Sequence, residues 1–62
     1  MTYKFQIKKG LIFDNATVIM VQEADSIARA NGFDYAERFV KHYDGLEVEL
    51  DDQLKVIKGA AL

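Results

Sequence analysis

An α+β domain is what the patterning predicts: a small antiparallel sheet of two hairpins, in the order ββααββ, with two helices packed on one face. Three observations carry that expectation. Apolar and polar residues alternate near both ends, in Tyr3-Lys4-Phe5-Gln6-Ile7 and Leu46-Glu47-Val48-Glu49-Leu50, the signature of half-buried strands. Between them, apolar residues recur at helical spacing in two stretches. The glycines Gly10, Gly32, Gly45 and Gly59 fall where elements should end. With 62 residues, no proline and no repeat, the chain makes a single domain, 1–62.

The first strand covers Thr2 to Lys8, with Tyr3, Phe5 and Ile7 on one face and the polar residues on the other. Lys8-Lys9-Gly10 suits a three-residue hairpin loop ending in a left-handed glycine. That loop sets Ile7 against Leu11 and Phe5 against Phe13, apolar facing apolar. Ile12 is then turned away from the helix-covered face.

A first helix follows, capped by Asp14 or Asn15 and stopped by Asn31-Gly32 near Ala30. Its inward stripe is Thr17, Met20, Val21, Ala24, Ile27 and Ala28, with Gln22, Asp25 and Arg29 outward. The β-branched run within Thr17–Val21 equally suits a strand. Length and the lack of a breaker before Gly32 favour helix.

The second helix is better marked. Asp34 stands as N-cap with Glu37 three residues on, Lys41 and His42 suit the last turn, and Gly45 ends it. Tyr35, Ala36, Phe39, Val40 and Tyr43 form its apolar side. For the last hairpin, a loop of Asp51, Asp52 and Gln53 pairs Leu50 with Leu54, Val48 with Val56 and Glu49 with Lys55. Lys4 and Lys8 on the first strand, and Glu47 and Glu49 on the third, make those two strands neighbours. By alternation Ile57 also leaves the covered face.

Composition excludes several classes. There is no cysteine, so disulfides and thiolate metal sites are ruled out, in keeping with a reducing cytoplasm. The formal charge of −2 argues against the chain as a whole as an electrostatic partner of nucleic acid or anionic membrane. The longest apolar stretch is Val18 to Val21, far short of a membrane span, and no basic start leads into a signal-length apolar segment. In a domain this small, apolar burial and ordering entropy nearly cancel, so self-association is expected to add needed stability.

His42 is the one histidine and Ser26 the one serine, on different helices, so a nucleophile–base pair is missing. The imidazole suits a helix C-terminus instead. Asp44, Glu47, Glu49, Asp51 and Asp52 invite a hard cation, which needs oxygens converging on one point. Alternation sends the two glutamates to solvent, and no calcium-loop order is present, so neither metal nor cofactor is expected. Ala28 and Gly32 echo the turn of a helix-turn-helix over 26–43, with Arg29, Arg38, Lys41 and His42 as candidate nucleic-acid contacts. Against it, Asp34 and Glu37 crowd the end of the second helix that would approach the backbone. The lysines Lys4 and Lys8 lie opposite Tyr3 and Phe5, so charge and aromatic platform are not presented together.

Ile12, Ile57 and Leu62 are left over by the core and form the candidate dimer interface. The function expected is therefore that of a small, non-enzymatic protein-interaction module of adaptor or inhibitor type. It is read as a cytoplasmic homodimer that also binds an unidentified protein, and a phage-encoded origin suits so short and acidic a chain. Two other classes stay open: a nucleic-acid-binding regulator using the basic residues above, and an enzyme assembled across a dimer interface, with His42 facing a carboxylate of the other subunit. The Ala28/Gly32 spacing covers too little of the chain to define a family.

Overall fold

The computed structural model describes residues 1–62. Its elements run β1 (Tyr3–Lys8), β2 (Leu11–Asp14), β3 (Thr17–Val18), α1 (Val21–Ala30), α2 (Ala36–His42), β4 (Leu46–Leu50) and β5 (Val56–Ala61). The strands form one sheet in the order β3-β2-β1-β4-β5, with every neighbouring pair antiparallel. The class is α+β as expected, but the order is βββααββ.

The added strand comes from the β-branched run. Asn15 takes a left-handed φ of 63°, a conformation that asparagine tolerates, and turns the chain back on itself. Thr17 then lies opposite Asp14 and Val18 opposite Phe13. A further backbone bond, Ile19 N–H to the Ile12 carbonyl at 3.1 Å, extends the pairing. Asp14 and Asn15 therefore cap nothing. The helix starts at Val21 behind Met20, which makes no side-chain capping bond.

The first hairpin also differs from expectation, and by one residue. Lys9 and Gly10 have φ of 54° and 73°, and positive φ at both central positions is the mark of a two-residue type I′ turn. Ile7 accordingly faces Ile12, and Gln6 faces Phe13. A one-residue slip exchanges the two faces of a strand, so Ile12 is buried at 3% exposure while Leu11 is open. Substituting Gly10 by Ala tests this turn. Nothing lies within 4 Å of the added Cβ, so the cost is backbone strain of about 1 kcal/mol. A midpoint about 4–8 °C lower is expected in a circular-dichroism melt; an unchanged midpoint contradicts the left-handed assignment.

Helix α1 ends as expected at Asn31-Gly32. Phe33 N–H donates to the Ala28 carbonyl at 2.9 Å and Gly32 N–H to that of Arg29 at 3.1 Å, the paired bonds of a Schellman stop. Helix α2 is shorter than expected. Asp34 is not its cap; Tyr35 holds that position without a side-chain bond. The first N–H of the helix, from Ala36, is instead taken by Asp25 Oδ1 of α1 at 2.9 Å. A carboxylate from the neighbouring helix does what a local cap would do.

Strands β1 and β4 are neighbours, as their charges imply: Lys4 lies opposite Glu49 and Gln6 opposite Glu47. The last hairpin departs from its expected register. Glu49 faces Lys58, not Lys55, and a bulge lies between Glu49 and Leu50. Residues 51–55 form a longer loop held by Asp51, whose Oδ1 accepts from the N–H groups of Gln53 (2.8 Å) and Lys55 (3.0 Å). Leu54 adopts φ 67°, and Asn31 secures it. The Asn31 amide donates to the Ile27 and Leu54 carbonyls, both at 2.8 Å, and its Oδ1 accepts from Val56 N–H at 2.8 Å.

One core joins the layers. Phe5, Ile7, Ile12, Val48 and Leu50 of the sheet meet Ala24, Ile27, Ala28, Phe39 and Val40 of the helices. No polar residue is buried with them. Thr17, Met20 and Val21, expected in the inward stripe of α1, are exposed, because the helix begins only at Val21.

Candidate functional site: an apolar cleft beside the β2–β3 hairpin

The turn at Asn15 has a consequence at the surface. It ends β2 early, brings β3 back alongside it, and leaves the start of α1 standing clear of the core. The result is a cleft of about 530 Å³ between the hairpin and the two helices. Its floor is buried: Ile12 from β2, Ala24 from α1 and Val40 from α2. Its walls are apolar and open to solvent, with Leu11 44%, Val18 47% and Val21 74% exposed. Charge is confined to one side, where Glu37, Lys41 and Asp44 line the α2 edge.

A volume of that size lies within the usual range for binding sites, and an apolar lining rimmed by a few charges is their usual chemistry. Of the candidate interface residues, Ile12 is part of this floor and of the core. The expectation that it leaves the helix-covered face is corrected by the register of the first hairpin. Ile57 is 55% and Leu62 60% exposed; Ile57 lies on β5 and Leu62 just beyond it, so neither lines the cleft.

Arg38, Lys41 and His42 come together on the exposed side of α2, beside Phe33 and Tyr35. Arg29 is exposed in the last turn of α1 and is not among the residues around that depression. Arg38 is engaged locally. Its Nε donates to the Tyr35 hydroxyl at 3.3 Å, and its guanidinium lies 5.6 Å from the Tyr35 ring centre. That hydrogen bond, then the charge interaction with Tyr35 and that with Asp34, hold the guanidinium above its ordinary value.

His42 lies against two rings, 4.6 Å from Tyr43 and 5.4 Å from Phe33. The acidic residues do not converge: no three carboxylates or imidazoles come together. Asp51 is occupied in its loop, and Glu47 accepts from Gln6 Nε2 at 2.8 Å.

The cleft is not legible from the sequence, because the run Thr17–Val21, which holds Val18 and Val21, reads by length as the start of a helix. The available signal was the β-branched run itself, behind Asn15. No helix is long and apolar enough to cross a membrane. Compared with family models, with curated proteins and with solved structures, the chain matches none.

Proposed function

We propose that this protein is a small interaction module that acts by binding, not by catalysis, and that the cleft seats an apolar segment of a partner protein. The observation that carries the reading is the exposure of Leu11, Val18 and Val21 around a buried apolar floor. Scattered exposed apolar residues need no explanation, but a contiguous rimmed group marks an interaction surface. Its position between a hairpin and two helices, with an apolar lining, suits an amphipathic helix that inserts large apolar residues at helical spacing. Two carboxylates and one ammonium at the rim favour a basic residue flanking that segment.

Selection from a displayed library of random peptides tests this. The wild-type protein is expected to enrich peptides with two or three large apolar residues at helical spacing. Val21→Glu and Val18→Lys, both at exposed positions, are expected to lower the affinity of enriched peptides at least tenfold while leaving the circular-dichroism spectrum intact. Equal affinity for both variants, or no enrichment on the wild type, refutes the assignment.

A further inference from the structure

We propose that two copies of this chain join edge to edge through β5, antiparallel about a two-fold axis at Gly59, so that the two sheets become one. The proposal does not depend on the cleft or its occupant. β5 is an edge strand of six residues. Edge strands are normally protected by charge, proline or a covering element. This one carries a single charge, Lys58, and no proline, and every residue from Ile57 onward is exposed.

The backbone phase is set by Leu62, whose N–H donates to the Gly45 carbonyl at 3.0 Å. In an antiparallel ladder the bonding direction alternates along the strand. Lys58 and Ala60 are therefore turned toward β4, and Gly59 and Ala61 present their N–H and C=O groups outward. Pairing Gly59 with Gly59 of a second copy satisfies those groups reciprocally. The same register sets Ile57 opposite Ala61 and Lys58 opposite Ala60 of the other copy. Centring the axis on Lys58 instead would oppose two ammonium groups, which is unfavourable.

Charge complementarity selects the Gly59 register. Ala60 lies opposite Glu47 within its own sheet, so the row across the join runs Glu49, Lys58, then Ala60 and Glu47 of the second copy. The small Ala60 side chain helps to leave a shallow depression of about 150 Å³, also lined by Lys4, Glu47, Glu49 and Lys58. A lysine stem from the other copy can lie in it, with its ammonium directed at Glu47. The two-fold axis makes that contact twice.

Sedimentation of the full chain across the micromolar range tests the proposal. The expected mass is near twice 7.0 kDa. Ala60→Lys would face Lys58 of the other copy at both symmetric positions, while gaining Glu47 as an intrachain neighbour. It is expected to raise the dissociation constant about tenfold or more with an unchanged circular-dichroism spectrum. Gly59→Pro removes an outward N–H, a position where an edge strand accepts proline, and is expected to give monomer. A monomeric wild type overturns the proposal, as does a dimer whose affinity Ala60→Lys leaves unaltered. Should Gly59→Pro fail to fold, Ala60→Lys alone decides. Neither variant touches the cleft, so peptide selection is expected to be indifferent to both.

Discussion

Phe39→Ala is expected to be the most destabilising single substitution in the protein, lowering the melting midpoint by tens of degrees or abolishing the cooperative transition. Phe39 is fully buried at the centre of the core. Its ring lies 4.9 Å from that of Tyr43 and 5.7 Å, edge on, from that of Phe33. Truncating a buried phenylalanine costs about 3–5 kcal/mol, part lost transfer energy and part the cavity left behind. A domain of this length has a total stability of roughly 3–9 kcal/mol by the per-residue norm. The substitution therefore removes a large share or all of it. Thermal and urea melts by circular dichroism check this, with Tyr35→Ala as a control, since Tyr35 is 44% exposed. A cooperative transition within a few degrees of wild type in Phe39→Ala would show that the helices are not held to the sheet through this ring.

Asn31→Ala is expected to have the next largest effect, out of proportion to the size of the side chain. Three hydrogen bonds pass through one amide, to the carbonyls of Ile27 and Leu54 and from the N–H of Val56. Together they join the end of α1 to the start of β5. Removing them deprives part-buried backbone groups of their partners, at about 1–3 kcal/mol for each group left unsatisfied. Because Leu54 sits at φ 67°, a strained position for leucine, the loop has reason to relax once released. A loss of about 2–4 kcal/mol is expected from these terms. Faster amide exchange at Val56 and Lys55 should accompany it, with Ile7 and Val48 changed only through global stability. Equal stability of Asn31→Ala and wild type would mean that water replaces the amide without penalty.

Asn31 also shows what local patterning conveys. Asn31-Gly32 is legible as a helix stop, because a left-handed glycine after a periodic stretch has few other uses. That the same asparagine reaches forward to residues 54 and 56 is not legible, since nothing local relates positions more than twenty apart. Asp25 is similar. Its place on the outward side of α1 follows from periodicity, yet its role is to hold the N–H of Ala36, and this displaced Asp34 from the capping role that spacing suggested.

The misassigned residues share one cause. Leu11-Ile12-Phe13 is continuously apolar, so either face of β2 could be buried, and the pattern within the strand does not choose. The choice was made by the turn, where Lys9 took a positive φ beside Gly10 and shortened the loop by one residue. Ile12 then moved from candidate interface to core. Likewise Thr17-Val18-Ile19 has strand propensity of its own, but it needed β2 beside it to realise it. Both outcomes shaped the cleft, and so the proposed binding site was the least legible part of the molecule.

Alternation, helical spacing and the placement of Gly10, Gly32 and Gly45 were enough to determine an α+β domain, its two helices, and the adjacency of β1 and β4, where Lys4 lies opposite Glu49. These are properties of neighbours along the chain, or of whole faces summed over several residues. Gly59, expected to end an element, lies within β5 instead. The registers of the first and last hairpins, the third strand, the capping of α2 by α1 and the apolar cleft were decided only by the assembled tertiary structure. Each depends on a partner distant in sequence, or on one turn residue whose conformation is selected by the packing that it permits.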